Sequence, residues 1–82
     1  MQLIIVSPFA KKIIDIEWIE LNTPAGNYII QAEHAPTIVT LTPGKPIIYL
    51  TTQGKEESWI VTQAIVQVTR SSVTLVTHDT LT

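Results

Sequence analysis

The side chains able to do chemistry are few in this chain, and their spacing forms no working set. The two histidines are His34 and His78. A zinc centre would need them joined by further ligands at short, fixed intervals, and the scattered carboxylates supply no such spacing. Glu33 adjoins His34 in sequence, and adjacent side chains on an extended backbone point to opposite sides. Ser7, Ser58, Ser71 and Ser72 occupy no nucleophile elbow. The three glycines, Gly26, Gly44 and Gly54, lie too far apart to build a phosphate cradle. Glu56 and Glu57 fall where a hairpin loop is expected and read as solvated charges rather than paired catalytic acids. There is no cysteine, so no disulfide, thiolate ligand or thiol nucleophile exists. These residues give no support for an enzyme and imply no catalytic residue, metal or cofactor.

The elements that carry them are short and β-branched. Apolar runs fall at residues 3–6, 13–21, 28–30, 37–41, 47–51, 59–62, 65–69 and 73–77, rich in Ile, Val and Thr. Such residues fit a pleated, half-buried surface. The runs are separated by turn formers: Ser7-Pro8, Pro24-Ala25-Gly26-Asn27, Pro43-Gly44, Gln53-Gly54-Lys55 and Ser71-Ser72. This punctuation predicts an all-β fold, a small two-sheet β-sandwich of about ten short strands. Residues 1–82 read as a single domain with no linker, repeat or low-complexity stretch. Residues 47–51 and 59–62 predict one hairpin, and residues 65–69 and 73–77 another. In the longest run Ile14, Ile16 and Trp18 share a face, after which Ile19 and Leu21 become the apolar positions. Strand faces alternate with period two, so the phase flip predicts a bulge or a change of sheet.

Composition narrows the partners. Five basic and seven acidic residues give a net charge of −2. Lys11, Lys12, Lys45, Lys55 and Arg70 are scattered, whereas a nucleic-acid binder needs a basic stripe. The chain is 45% hydrophobic and only 15% charged, which is apolar for 82 residues. The simplest account is a surface partly covered by protein partners. No apolar run approaches the roughly 20 residues of a bilayer-spanning helix. Leu3-Ile4-Ile5-Val6 lacks a basic leader and is ended by Pro8, so it does not read as a signal peptide. An intracellular protein, soluble or peripheral to a membrane, is the expectation.

A succession of motifs then carries a resemblance: Leu3-Ile4-Ile5-Val6-Ser7-Pro8, Thr23-Pro24-Ala25-Gly26, His34-Ala35-Pro36, Leu41-Thr42-Pro43-Gly44, Gly54-Lys55-Glu56-Glu57, Ile65-Val66-Gln67-Val68 and Val73-Thr74-Leu75-Val76. In order and spacing this set is similar to the N-terminal β-sandwich of ATP synthase ε subunits, called δ in mitochondria. Each motif alone is weak; the ordered set is specific and covers nearly the whole chain. Three family glycines are missing, at Ile29, within Ala32-Glu33 and within Thr62-Gln63-Ala64.

The resemblance implies a non-catalytic central-stalk subunit of a rotary F-type ATP synthase. It would bind the γ subunit and the c ring and couple ion translocation to ATP synthesis or hydrolysis. Its place would be peripheral, on the cytoplasmic face of an energy-coupling membrane or the organelle equivalent. The family's strands lead into two inhibitory helices that in some members bind ATP; neither is expected of these 82 residues. By matched position, Ala25, Gly26, Asn27, Tyr28, His34, Ala35 and Pro36 are the expected ring-side residues. Ser7, Phe9, Trp18 and Val39 are the expected γ-side residues. Asn27 stands where the family often has an acid, so hydrogen bonding would replace charge there. Trp18 also stands out from the residues alone, as a tryptophan at the phase flip; a core position is its other reading. Trp59 reads as core. The lost glycines keep a second reading open, a divergent ε-like adaptor or regulator with another protein partner. A third, a carbohydrate-binding or hydrolytic β-domain, would need an aromatic platform or cleft carboxylates. The oligomeric state of the isolated domain stays open, a monomer being compatible with this composition.

Overall fold

The computed structural model describes residues 1–78. They form β1 (Gln2–Val6), β2 (Lys11–Thr23), β3 (Gly26–Gln31), β4 (Thr37–Thr40), β5 (Pro46–Thr51), β6 (Glu56–Ile60), β7 (Ala64–Val68) and β8 (Ser72–Thr77). Each strand grows from one of the β-branched runs. The eight strands match the eight apolar runs and fall short of the ten or so expected; the longest run forms a single 13-residue strand, β2, that serves both sheets.

One sheet, A, has the order β4-β7-β8-β1-β2, with β1 and β8 parallel and every other pair antiparallel. The other, B, has the order β3-β2-β5-β6, all antiparallel. Up to Asp15, β2 pairs with β1; from Ile16 onward it pairs with β5, and from Trp18 also with β3. The register against β5 shifts between Ile16 and Trp18. The phase flip is therefore both a bulge and a change of sheet. It falls before Trp18 rather than after it: the buried positions step from Ile16 to Ile19, then Leu21. Trp18 is turned off the Ile16 face as a result.

The core lies between the sheets. Leu3, Ile5, Val66, Val68, Val73 and Leu75 come from sheet A, and Ile19, Leu21, Ile30, Ile47 and Tyr49 from sheet B, all buried. Trp59 packs against this cluster, as its flanking residues suggested. Strict alternation in β7, where Ala64, Val66 and Val68 are buried and Ile65 and Gln67 exposed, follows from the period of two.

Both expected hairpins form. In the first, the loop is tighter than expected. The Thr51 amide donates to the Lys55 carbonyl at 2.8 Å, Gly54 takes φ +86°, and Glu56 and Glu57 lie on β6, not in the loop. The charged pair is drawn into the strand because Tyr49 on β5 faces Glu57 and donates its hydroxyl to Oε2 at 2.8 Å. In the second hairpin the Thr69 amide donates to the Ser72 carbonyl at 2.8 Å. Among the described residues the two buried polar side chains are satisfied: the Thr23 hydroxyl donates to the Gly26 carbonyl (2.9 Å) and the Thr77 hydroxyl to the Gln63 carbonyl across the sheet (2.8 Å).

Two consequences can be measured. Glu33 is the only described non-glycine residue with positive φ, at 69°, and it stands at one of the positions where the resembling family has glycine. A side chain there clashes with its own backbone. Glu33→Gly relieves that clash at some entropic cost, so a net gain of about 0.5–1 kcal/mol is expected, a Tm rise of roughly 4 °C. An unchanged or lowered Tm would contradict it. Burial, reinforced by the Glu57 contact, pushes the Tyr49 phenol up to about 12 from 10.0. The folded chain therefore holds a proton that the unfolded chain releases. This contribution to stability is complete below pH 10.0 and is lost as pH rises toward 12. Tyr49→Phe should remove that alkaline loss, which thermal melts across the window would reveal.

Candidate partner-binding surface

Strands packed on one face alternate apolar and polar residues; strands covered on both faces do not. In β1, Leu3 and Ile5 point into the core, yet Ile4 and Val6, on the opposite side, are apolar too. The pairing register extends this outward apolar set across sheet A. Ile65 opposes Val76, and Val76 opposes Val6, making one row. In the next row Ile13 opposes Ile4, Ile4 opposes Thr74, Thr74 opposes Gln67, and Gln67 opposes Ile38. Ile38, Ile65, Ile13 and Val76 are 70%, 56%, 54% and 52% exposed. Sheet A is five strands wide, about 19 Å at the usual strand spacing. Its outer face bears charge only at the β2 border, where Lys11 opposes Val6 and Asp15 opposes Gln2. Chemically it is largely apolar and, away from that border, uncharged, suited to cover by another protein.

The residues expected on the ring side divide into two groups. Ala25 lies in the β2–β3 turn with Pro24, and Gly26, Asn27 and Tyr28 begin β3; all are exposed. The Thr23 hydroxyl accepts from the Ala25 amide at 3.2 Å, and Asn27 Nδ2 donates to Asn22 Oδ1 at 3.1 Å. Asn22 Nδ2 donates to the Pro46 carbonyl, and the Thr42 amide to the Asn22 carbonyl, so the turn is anchored on the loop before β5. His34, Ala35 and Pro36 lie beyond the far end of β3, a six-residue strand, about 17 Å away along it. There the Glu33 amide donates to the Arg70 carbonyl at 2.8 Å, tying the segment to the β7–β8 turn. His34 Nδ1 lies 2.8 Å from the Ala35 carbonyl oxygen, which can only accept, so Nδ1 carries the proton. The structure does not bring these two groups together.

The expected γ-side residues are also dispersed. Ser7 and Phe9 share the β1–β2 turn, where the Ser7 amide donates to the Ala10 carbonyl at 2.9 Å and Phe9 is 96% exposed. Val39 is half-buried in β4 against the core. Trp18 is half-buried on the outer side of sheet B, between Gln31 and Leu50. The matched motifs did not single out Ile4, Ile13, Ile38, Ile65 or Val76, which the pairing register places together on this outer face. The available signal was the failure of alternation in Leu3-Ile4-Ile5-Val6.

Among the described residues no cluster of three or more His, Asp or Glu could hold a metal. Glu56 and Glu57 face opposite sides of β6. The Tyr49 hydroxyl, then the Lys55 ammonium, hold the Glu57 carboxyl below the usual range, and Lys55 Nζ lies 3.3 Å from it. Those contacts link β5, the loop and β6 of one hairpin.

Comparison with known proteins gives one family and a set of structures. A family model described as the ATP synthase Delta/Epsilon chain, beta-sandwich domain, matches residues 1–81. No curated protein sequence matches the chain. The fold is similar to a chain of the Euglena gracilis mitochondrial ATP synthase OSCP/F1/c-ring assembly, with TM-score 0.81 and 18% identity over 96% of this chain and 51% of that one. It is likewise similar to a chain of the Tetrahymena thermophila mitochondrial ATP synthase central stalk and c-ring, with TM-score 0.80 and 17% identity over 96% of this chain and 63% of that one. The chain thus spans between half and two-thirds of the length of each.

The two tryptophans test the division between core and surface. Trp59→Ala should cost about 2 kcal/mol or more, as a cavity against the core, and Trp18→Ala about 1 kcal/mol or less. Urea unfolding of both variants decides; the reverse order would contradict the placement of Trp18.

Proposed function

This chain belongs to the ATP synthase delta/epsilon-chain β-sandwich family, and from that premise we propose that it is a non-catalytic coupling subunit of the central stalk, seated between the γ subunit and the c ring. The observation that carries this reading is the outer face of sheet A. A joint that transmits torque must be stiff and must not slip. Inter-strand hydrogen bonds and a shared core supply the stiffness. β-branched side chains supply a surface with little rotamer freedom to lose on docking. Ile13, Ile38, Ile65 and Val76 together offer an uncharged face to γ, with Phe9 projecting at the border where β1 turns into β2. At the Ala25–Tyr28 turn the exposed polar groups suit the loops of a membrane ring. Position in the complex would then hold the chain at the energy-coupling membrane, on its cytoplasmic or equivalent side.

The test is co-purification with γ and the c ring, followed by Ile65→Lys and Val76→Lys. Both side chains are more than half exposed, so Tm should move by only a few degrees, while binding to γ should fall at least about tenfold per lysine. Retained γ binding in the double variant would overturn the assignment of this face. Wild-type chain that binds neither γ nor the ring would favour the adaptor reading.

A further inference from the structure

The structure leaves β4 with one neighbour, β7. Directly opposite residues along this pair run from Thr37 with Val68 to Thr40 with Ile65, and beyond the strand the Leu41 amide donates to the Ala64 carbonyl at 3.2 Å. Opposed residues in an antiparallel pair alternate between hydrogen-bonded and non-bonded. Leu41 is bonded to β7, so Val39 and Thr37 are too. Ile38 and Thr40 therefore turn both their N–H and C=O groups away from β7, toward the open edge.

Native sheets protect such edges with charge, bulges or proline within the strand. Of the other three edges, the first part of β2 carries Lys11, Lys12 and Asp15, β6 carries Glu56 and Glu57, and β3 leads out of the anchored Asn22–Asn27 turn. Thr37-Ile38-Val39-Thr40 has none of the usual devices. Proline occurs only outside it, at Pro36 and Pro43, where it limits the length of any added strand. An edge so exposed, yet so bounded, suits one short extended partner strand.

We propose that this partner is a second copy of the chain, paired antiparallel through β4 about a two-fold axis at Val39. In that register Ile38 of each copy opposes Thr40 of the other. Two N–H and two C=O groups from each copy make four hydrogen bonds, and no free edge group of the strand is left over. Pro36, with no N–H to offer, lies just outside the paired segment. No charges meet, since β4 has none. Sheet A becomes one sheet of ten strands across the pair, and the apolar faces of the two copies lie on the same side. The inference stands independently of the stalk reading. Four residues per copy bury well under the ~1,000 Å² of a firm interface, so a weak dimer is expected, dissociating at roughly 10 µM to 1 mM.

Sedimentation equilibrium of the 82-residue chain up to about 1 mM should show reversible dimerisation. Ile38→Pro and Thr40→Pro each delete an outward N–H while sparing every bond to β7, so both should stay folded by circular dichroism and remain monomeric. The absence of native cysteine permits a second arm that does not depend on how the proline variants fold. Val39 of the two copies would form a non-hydrogen-bonded pair with Cα atoms about 4.5 Å apart, within disulfide range. Val39→Cys should cross-link into a dimer under mild oxidation at least tenfold faster than the fully exposed Phe9→Cys. A wild-type chain that is monomeric at every concentration overturns the proposal. So does a folded proline variant that dimerises like wild type, or Val39→Cys cross-linking no faster than Phe9→Cys.

Discussion

The passage of β2 from one sheet to the other holds this domain together. One strand of 13 residues gives its first five to β1 and its later ones to β3 and β5. A strand that changes sheets must also change which of its faces is inward. The register shift between Ile16 and Trp18 does this, turning Ile19 and Leu21 into the core in place of the positions that strict alternation would have chosen. Without that step Trp18 and Glu20 would face the core. With it, the described residues close two sheets around an apolar centre, with no cysteine to staple them.

The same economy explains the surface. A domain this small buries only a modest share of its area, and here the unburied share is itself apolar. Ile4, Ile13, Ile38, Ile65 and Val76 contribute nothing to the core between the sheets. An apolar face of this width on a monomer usually marks a protein contact. Under the stalk reading proposed above, shape and apolar area carry the function. The chemistry-bearing groups are spent on structure: Tyr49 with Glu57 and Lys55 closes a hairpin, Thr23 closes a turn, and His34 Nδ1 meets its neighbour's carbonyl.

Much of this fold was legible from residue order. The apolar runs located every described strand, because Ile, Val and Thr declare a pleated surface and Pro-Gly and Ser-Ser declare its breaks. The phase flip in β2 announced a bulge or sheet change, although periodicity alone placed it one step late. The eight apolar runs matched the strand number one for one, and the expectation of about ten exceeded what those runs displayed. Glu56 and Glu57 looked like loop residues because their charge was visible and their cross-strand partner Tyr49 was not. Legibility of the candidate site was poorer. Matched motifs gathered Asn27 with His34 although a whole strand separates them, and gathered Trp18 with Ser7 although one lies on sheet B and the other in the β1–β2 turn. Register across five strands, which no single segment encodes, is what assembles the outer face of sheet A.

Side-chain footprinting of the chain alone and with γ reads that face most directly. Covalent labelling by a diffusible carbene should fall sharply at Ile13, Ile38, Ile65 and Val76 when γ is added, with Ile29 and Ile60 on sheet B labelled as before. Unchanged labelling of the first four, with protection confined to sheet B, would contradict the account.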